Sequence, residues 1–355
     1  MRAGALVVDT ISLPRLEDGE VLVKTLACGI CGSDLHALAH GPKMVNALRR
    51  ANSPMTMDLS HDVVMGHEFC GEIVEFGKGT NKRLGMGARI CSIPFLTRGR
   101  QFNHIGYSND APGGFGEYIA INEATLIEVP NGLPAAEAAM TEPFGIGAHA
   151  VASARMTSAD VPLVVGCGPV GLAVIAALKL HGYGPIVAAD PLPDRRRLAQ
   201  IMGADVVVDP FAASPYESWR EAAVWADQSI APPVAPWEAG PAIRPAVVFE
   251  CVGVSGMIEQ IMAGVPAATR IIVVGVCMER DQFEPMFGIT KELSLQFVWG
   301  YTPAEFEDTL RNIAEGVLDV KPVISGSVGL DGVAPAFERL SGPTSDAKLI
   351  VEPWR

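Results

Sequence analysis

Basic residues are scarce in this chain compared with acidic ones. Lysine and arginine together number 27 against 40 aspartates and glutamates, which gives a formal net charge of −13 at pH 7. A surface of that sign repels the phosphates of nucleic acids and the head groups of anionic membranes. We therefore expect neither a nucleic acid nor a membrane surface as a partner of this protein.

Apolar segments that could serve as export signals or membrane anchors are also few. The first residues lack an apolar run of signal-peptide length, so we expect a cytoplasmic location. Residues 161–178 are uncharged and mostly apolar, and they are long enough to raise the question of a membrane span. Three glycines and Pro169 within this stretch are instead spaced as in a buried strand, a turn and a buried helix, which is the structure we predict.

Cysteine is too infrequent, and too irregularly placed, for a disulfide-stapled protein. The chain has seven cysteines, an odd number, and they are scattered through apolar surroundings. In a chain of this size without export signals we do not expect a disulfide framework. Most of these residues are expected to be small core side chains, with Cys31 as the exception.

The chain does contain two successive patterns of secondary structure, which predict an α/β fold with a β domain first. Short β patterns separated by turns indicate a mainly antiparallel sheet, and they cover residues 5–9, 20–25, 72–75, 87–93 and 118–121. Alanine-rich helices follow from residue 134. Strands then alternate with helices, which predicts a parallel, doubly wound sheet with strands at residues 163–165, 186–190, 205–208, 247–250, 270–276 and 293–298.

The length of 355 residues corresponds to about two domains. We predict that residues 1–153 form the first part of the β domain and residues 154–299 the parallel-sheet domain. Residues 300–355, with an amphipathic helix at 304–316, are predicted to return and complete the first domain. Two stretches are irregular: residues 37–63 carry three methionines, and the proline-rich residues 230–245 are expected to form an exposed loop.

A glycine-rich turn follows the first strand of the predicted parallel sheet. Its residues follow the order GxGxxG and are Gly166, Cys167, Gly168, Pro169, Val170 and Gly171. Glycines at this spacing permit a tight turn and let a pyrophosphate approach the backbone, while the N-terminus of the next helix attracts its negative charge. A strand before this motif and a helix after it together predict a dinucleotide site.

Asp190 ends the next strand, 24 residues after Gly166. A carboxylate there can accept hydrogen bonds from the ribose 2′-hydroxyl and would repel a 2′-phosphate, so NAD is predicted rather than NADP. The alternative is that Asp190 only caps the helix after Pro193. Arg195 and the two arginines after it could pair with a phosphate, but such residues are more often a solvated helix face or a cover for the adenine, so they do not reverse the preference.

Cys31 and His67 lie ahead of this unit, within the segments CGICGSDLH (residues 28–36) and GHE (residues 66–68). A thiolate sulfur and an imidazole nitrogen suit Zn²⁺, and a zinc site with few protein ligands keeps a position open for substrate. A metal site and a dinucleotide site on one chain indicate hydride transfer to or from a polarised oxygen. The predicted partner is therefore a small-molecule alcohol or its ketone or aldehyde.

These motifs resemble the zinc-dependent alcohol dehydrogenases of the medium-chain dehydrogenase/reductase superfamily, in particular the sorbitol, butanediol and threonine dehydrogenase branch. The resemblance covers nearly the whole chain, and it rests on the two segments above, GGFGEY (residues 113–118), Glu142-Pro143 and the GxGxxG turn in family order. It implies a GroES-like, mainly antiparallel catalytic domain and a Rossmann domain. It also implies an enzyme that oxidises a secondary alcohol or polyol with NAD.

Carried over residue by residue, the resemblance makes Cys31 and His67 zinc ligands, while Cys28 matches a position that is usually buried packing. The third ligand stays open between Glu142, which stands where relatives have Cys, Glu or Asp, and Glu68, which can swing toward the metal in relatives. A helix-start carboxylate is the alternative for Glu142.

The same resemblance gives roles in proton transfer and orientation to three residues near Cys31. It implies that Ser33 takes the alcohol proton and that Asp34 orients His67 from behind. His36 would pass the proton to solvent, although a lone histidine is more often structural. Further cofactor contacts are implied at the ends of later strands and near the C-terminus, at Arg195, Val252, Gly253, Gly275, Val276 and Lys348.

The chain departs from the family pattern in two places. Many relatives hold a structural zinc on four cysteines, but residues 89–113 contain only Cys91, so we expect one catalytic zinc and no structural zinc. The spacing of 36 residues from Cys31 to His67 is longer than usual in the branch. The extra chain, with Met44, Met55 and Met57, either lines the mouth of the substrate cleft or forms a surface helix with its own small core.

Two rival functions are weighed against a zinc-dependent alcohol dehydrogenase. A zinc-free quinone or enoyl reductase of the same fold would lack Cys31, His67 and a third ligand, and a non-catalytic NAD-binding protein would not need Ser33 and Asp34. The substrate stays open among sugar alcohols, vicinal diols, threonine-like amino alcohols and aromatic alcohols. In relatives the sheet edge near residues 270–276 and 293–298 pairs across a two-fold axis, so a homodimer or homotetramer is expected.

Overall fold

The structure is a computed structural model that describes residues 1–55, 57–229, 231, 240–342 and 344–355. The chain divides into two compact units, one formed by Met1–Pro143 with Pro303–Arg355 and the other by Phe144–Thr302. The first border lies before the predicted position at residue 153, because residues such as Gly147 pack against Ala173 within the second unit. Most of the proline-rich stretch predicted as an exposed loop lies outside the described residues.

Among the described residues, nine of the fifteen strands lie in the first unit, and strands and helices alternate in the second. The strands are β1 (Glu20–Gly29), β2 (Glu68–Phe76), β3 (Arg89–Ser92), β4 (Phe95–Arg98), β5 (Gln101–His104), β6 (Tyr118–Asn122), β7 (Leu126–Glu128), β8 (Val161–Val165), β9 (Val187–Ala189), β10 (Val206–Val208), β11 (Ala246–Glu250), β12 (Arg270–Val273), β13 (Ser294–Phe297), β14 (Ile324–Val328) and β15 (Lys348–Val351). The helices are α1 (Gly32–Arg50), α2 (Ala135–Ala139), α3 (Thr141–Ser153), α4 (Pro169–Leu180), α5 (Pro193–Met202), α6 (Pro215–Ala222), α7 (Met257–Gly264), α8 (Pro285–Lys291), α9 (Pro303–Ala314) and α10 (Val333–Ser341).

The first unit is built on a mainly antiparallel sheet, as the sequence predicts. Its strand order is β14-β15-β1-β2-β3-β7, with β6 also paired to β1, and the β14–β15 pair is parallel. The long β1 has neighbours on both sides, so its apolar residues are buried. The strand predicted at residues 5–9 is wrong, because Val7 and Val8 are half exposed and this segment has only an isolated bridge between Arg2 and Ala5.

The second unit contains a parallel sheet in the order β10-β9-β8-β11-β12-β13, which confirms the predicted doubly wound fold. All six predicted strands are present, each within a few residues of its expected bounds. One face of the sheet is covered by a cluster that includes Trp219 from α6, whose indole N–H donates to the Val161 carbonyl at 3.0 Å. The apolar residues 161–178 form β8 and most of α4, and among the described residues the structure has no helix that could span a membrane.

The unusually long connection between the metal-binding segments begins as helix α1. This helix is kinked at His40, just before Pro42, because proline cannot continue the helical hydrogen bonding. Val45 and Met57 are buried with Phe337 of α10 in the core of the first unit. This packing shows that apolar side chains of the segment belong to a core. The alternative that the segment lines the mouth of the substrate cleft stays a prediction.

Candidate active site

Three side chains with metal-binding atoms meet at the end of β1 and the start of β2. The ligand atoms of Cys31, His67 and Glu68 all lie within 4.8 Å of one another. The antiparallel register of the two strands pairs Gly29 with Glu68, so Cys31, two residues later, emerges beside His67. The sheet therefore brings together residues that are more than thirty positions apart in sequence.

Glycines allow the loops around this group to approach one another. Gly66 has a φ of +98°, a conformation that side chains other than glycine rarely adopt, and a Cβ there would lie 2.8 Å from the Phe115 backbone nitrogen. A Cβ on Gly114 would lie 2.7 Å from the sulfur of Cys28. Cys28 is fully buried against these glycines, and burial raises the pKa of its thiol, so the structure gives this residue the packing role predicted for it.

Asp34 lies behind the metal-binding group and is fully buried. One of its carboxylate oxygens, Oδ2, accepts the backbone N–H of Cys31 at 3.0 Å and so closes the N-terminus of α1. The other, Oδ1, faces Nδ1 of His67 at 3.5 Å. Because Nδ1 is buried with the Asp34 carboxylate as its nearest charged neighbour, the other ring nitrogen, Nε2, is the one available to a metal.

The electrostatics of the group suit a cation. Burial opposes protonation of His67, but the carboxylate of Asp34 and the thiol of Cys31 outweigh it and raise the pKa of the imidazole well above its usual value. Glu68 contributes a further buried carboxylate. A thiol, an imidazole and a carboxylate at these positions form a donor set that zinc accepts in proteins.

Glu68 is also half of a buried ion pair. Lys348 of β15 donates to both carboxylate oxygens of Glu68, at 2.6 and 2.7 Å, and to the Ile30 carbonyl at 3.0 Å. All three ammonium protons are thereby used, and the side chain is 1% exposed. The implied role of Lys348 in cofactor binding is therefore corrected: its charge is committed to Glu68 inside the first unit.

Glu142, the other candidate for the third ligand, is buried at the start of α3. Burial lowers the pKa of Lys348, but the charges of Glu68, Cys31 and Glu142 outweigh burial and raise it. Glu142 contributes less than Glu68 and Cys31. Glu142 is not part of the group of ligand atoms found among the described residues, whereas Glu68 is.

Two aromatic residues that the sequence analysis did not single out complete the site. The Tyr107 hydroxyl lies 2.8 Å from Ser33 Oγ and 3.0 Å from Asp34 Oδ1, and its ring centroid is 5.1 Å from that of His67. His104, at the end of β5, meets His67 edge to face at 5.5 Å. Both lie within residues 89–113, which the sequence analysis considered only for the absence of the four structural-zinc cysteines. Their position shortly before the GGF turn is the feature by which the sequence could have pointed to them.

His36 lies on α1, one helical turn after Ser33. It is half buried, its ring stacks on that of His40 at 6.3 Å, and burial lowers its pKa. These features fit a histidine that stays neutral at physiological pH, and its part in a proton relay stays a prediction.

In the second unit the glycine-rich turn connects β8 to α4. Gly166 has a φ of +92°, and a Cβ there would lie 2.7 Å from the side chain of Val252. A Cβ on Gly171 would overlap the carbonyl oxygen of Gly166, so this position also requires glycine. Gly168 caps α4 and Pro169 occupies its first turn, which leaves backbone N–H groups at the helix start for a phosphate.

Asp190 is buried after β9, and both of its carboxylate oxygens accept backbone N–H groups. The N–H of Cys167 lies 2.8 Å from Oδ2, and the N–H of Leu192 lies 2.8 Å from Oδ1. The carboxylate thus ties the glycine-rich turn to the residue that precedes α5. Among the described residues no side chain caps α5 itself, so the structure does not support the alternative that Asp190 only caps this helix. A carboxylate has lone pairs beyond these two bonds, so it can also accept a ribose hydroxyl. Arg195 Nη1 lies 3.5 Å from the Cys167 carbonyl, beside the same turn.

The predicted cofactor residues after β11 and β12 also converge on this turn. Oε1 of the buried Glu250 accepts the N–H groups of Val252 and Gly253, each at 2.8 Å. Gly253 has a φ of +71° and lies so close to Gly275 that a Cβ on Gly275 would overlap its backbone nitrogen. Val252 and Val276 are partly exposed beside these glycines. They border the carboxyl ends of β8 and β11, where open parallel sheets bind dinucleotides.

Replacing Lys348 with Met should lower the free energy of unfolding by about 3–5 kcal/mol, because it leaves the Glu68 carboxylate buried without its partner. Urea unfolding of the metal-free protein measures this. The double variant Lys348→Met with Glu68→Gln should recover most of the loss, since neither member of the pair then leaves an unpaired buried charge. Lys321→Met, at an exposed ion pair, is the control and should change stability by less than about 1 kcal/mol. A single variant as stable as the control would contradict the burial argument.

Comparison with known proteins agrees with this arrangement. Residues 17–131 match the alcohol dehydrogenase GroES-like domain family, and residues 169–315 match the zinc-binding dehydrogenase family. The chain is 30% identical to the (R,R)-butanediol dehydrogenase of Bacillus subtilis (strain 168), over 98% of this chain and 96% of the relative. It is 26% identical to the sorbitol dehydrogenase of the same strain, over 98% of this chain and 94% of that relative.

Solved structures give the same result. The crystal structure of 2R,3R-butanediol dehydrogenase from Bacillus subtilis matches with a TM-score of 0.79 at 27% identity, covering 99% of this chain and 97% of that one. A protein from Sinorhizobium meliloti 1021 whose crystal structure has NADP bound matches with a TM-score of 0.78 at 27% identity, with the same coverage. The chain therefore belongs to the zinc-dependent alcohol dehydrogenases of the medium-chain dehydrogenase/reductase superfamily and is an oxidoreductase with a GroES-like and a Rossmann domain.

Proposed function

We propose that this enzyme transfers hydride between the carbinol carbon of a secondary alcohol or polyol and the nicotinamide of NAD. The observation that carries the proposal is the group of Cys31, His67 and Glu68 on a chain that also contains the glycine-rich turn of a dinucleotide site. The names of the relatives support an alcohol or polyol as substrate, since they are butanediol and sorbitol dehydrogenases.

Cys31 and His67 would hold one zinc ion per subunit, with a carboxylate as the third ligand. The position of Glu68 within the group supports it in that role, and Glu142 stays the alternative that the sequence predicts. A bound zinc ion supplies Lewis acidity, which lowers the pKa of an alcohol oxygen. Because residues 89–113 contain a single cysteine, we propose no structural zinc.

The residues around this group would orient ligands and handle the proton. Asp34 faces Nδ1 of His67 and holds the imidazole so that Nε2 is presented to the metal. Ser33 Oγ would accept the proton of the substrate hydroxyl, and His36 on the same helix would pass a proton toward solvent. These roles follow the resemblance, and the burial of Asp34 and the hydrogen bonds of the Ser33 hydroxyl support them.

Replacing Cys31 with Ser should remove zinc and reduce kcat at least hundredfold, because a serine hydroxyl is a far poorer zinc ligand than a thiolate. Binding of NADH, measured by fluorescence titration, should stay within about twofold of wild type. Cys277→Ser, a cysteine away from the metal group, serves as the matched control with full zinc and activity. Metal analysis should give about one zinc per wild-type subunit. Turnover by zinc-free protein would instead favour a zinc-free reductase.

The preference for NAD over NADP is proposed from Asp190. Its buried carboxylate lies directly beside the glycine-rich turn, where it would meet the adenosine ribose and repel a 2′-phosphate. One similar structure has NADP bound, which makes the discrimination a property to be measured for this chain.

Replacing Asp190 with Ala should lower the ratio of kcat/KM for NAD to kcat/KM for NADP by at least tenfold, because both the ribose acceptor and the repelling charge are lost. The matched control is Asp194→Ala, an exposed acid in the first turn of α5, which should leave the ratio unchanged. Steady-state kinetics with both cofactors provide the measurement. Equal ratios in wild type and Asp190→Ala would refute the assignment.

Among the open substrate classes, we propose one with a hydrogen-bond donor beside the reacting carbon, as in a vicinal diol. His104 donates from Nδ1 to the Ile105 carbonyl at 2.8 Å, so its Nε2 carries a lone pair and acts as an acceptor. Burial, together with the nearby His67, lowers the pKa of His104 to about 3, so the ring is neutral at physiological pH. Next to His67, such an acceptor favours a substrate group that can donate, such as a second hydroxyl or an ammonium, over an ionised carboxylate.

Replacing His104 with Phe should therefore reduce kcat/KM for 2,3-butanediol about tenfold, which corresponds to the loss of one hydrogen bond, and leave 2-butanol within about twofold. The ratio of the two substrates is the measured quantity, since it cancels general damage to the site. His181→Phe in the second unit is the control. A parallel loss on both alcohols would exclude recognition of the second hydroxyl by His104.

We also propose a homodimer or homotetramer assembled through β13. This strand is the outer strand of the parallel sheet, and Phe297 on it is 67% exposed. Ile289 in the preceding helix is 71% exposed. An open sheet edge with exposed apolar side chains favours pairing with a second copy.

A cytoplasmic location stays a prediction.

A further inference from the structure

A short chain of hydrogen-bonding groups connects Ser33 to Asp34 through Tyr107. The Tyr107 hydroxyl oxygen is 2.8 Å from Ser33 Oγ and 3.0 Å from Asp34 Oδ1. Asp34 is fully buried, and Tyr107 is 8% exposed. Water therefore has little access to the contact between Tyr107 and Asp34, while Ser33, at the other end of the chain of groups, is only partly buried.

The direction of each proton follows from the number of donors. An ionised carboxylate can only accept, and the other oxygen of Asp34 already accepts the N–H of Cys31. The single proton of Tyr107 therefore points to Asp34. Ser33 in turn donates its own proton to the tyrosine oxygen. The serine oxygen keeps its lone pairs for a different partner.

Tyr107 is held firmly in this position. It follows β5, and its backbone N–H donates to the His104 carbonyl at 3.0 Å. The preceding Gly106 has a φ of +88° and packs so closely on Gly66 that a Cβ would lie 2.9 Å from the Gly66 carbonyl oxygen.

We propose that Tyr107 is a positioning residue that turns the Ser33 proton away from the substrate and presents the serine oxygen as an acceptor. This inference rests on the proposed function, in which Ser33 accepts the proton of the substrate hydroxyl and releases a proton in turn toward His36 and solvent. Tyr107 sets the orientation of the serine hydroxyl before that transfer. Without the phenol, the serine hydroxyl rotates freely and donates as readily as it accepts. A donor aimed at the substrate oxygen opposes its deprotonation, so loss of the phenol slows the reaction without removing a substrate contact.

The first test replaces Tyr107 with Phe, which removes one oxygen atom and keeps the ring against His67. We expect kcat for alcohol oxidation to fall ten- to hundredfold while KM changes less than threefold. Zinc content and the Kd of NADH should equal those of wild type. Tyr183→Phe, which removes a hydroxyl bonded to the Met156 carbonyl, is the matched control and should leave all four quantities unchanged.

A second readout does not depend on turnover. The acidic secondary alcohol 1,1,1-trifluoro-2-propanol should bind the complex of enzyme and NAD about tenfold more weakly in Tyr107→Phe, because its binding requires deprotonation. Isothermal calorimetry measures this affinity. The double variant Ser33→Ala with Tyr107→Phe should be no slower than Ser33→Ala alone, since the phenol acts through the serine.

Three outcomes would overturn the inference: kcat within twofold of wild type, a rise in KM at constant kcat, or loss of zinc from Tyr107→Phe. Additive losses in the double variant would overturn it as well. The proposed function fails separately, when wild-type enzyme turns over no alcohol with NAD. The role of Tyr107 is tested by the ratio of kcat in the variant to kcat in wild type, so its failure is distinguishable from failure of the proposed function.

Discussion

The buried carboxylate of Asp34 is the interaction on which the arrangement of the metal-binding group depends. It accepts the N–H of Cys31, faces His67 and accepts the Tyr107 hydroxyl. A buried carboxylate without such partners would cost several kcal/mol, so the loop after β1, the loop before β2 and the segment after β5 must all reach it. One charge thereby sets the positions of a thiol, an imidazole and a phenol.

The sheet supplies the remaining constraint. Pairing of β1 with β2 places Glu68 opposite Gly29, so closely that a Cβ on Gly29 would overlap the Glu68 carboxylate. The last strand, β15, pairs with β1 and brings Lys348 to the same carboxylate. The returning C-terminal segment is therefore part of the site as well as of the sheet. Its charge balances the Glu68 carboxylate, which is buried within the metal-binding group.

The second unit follows a different principle, in which backbone shape decides more than charge. Gly166, Gly171 and Gly275 stand where a side chain would overlap the neighbouring backbone or side chains. Asp190 and Glu250 accept backbone N–H groups and hold the ends of their strands together. The result is a turn that leaves the backbone N–H groups at the start of α4 for a phosphate. Because these positions accept only glycine, a sequence motif identifies the turn directly.

The sequence alone determined the two-part fold, the parallel strands, the glycine-rich turn and the pair of Cys31 with His67, because each has a local pattern of spacing or periodicity. It did not determine that Lys348 pairs with Glu68, a contact between residues 280 positions apart. It also did not single out Tyr107 and His104, whose segment has no repeating pattern and only a position shortly before the GGF turn as a signal. Only the tertiary structure decided these contacts, since a hydrogen bond between distant segments depends on how strands and loops pack and not on local spacing.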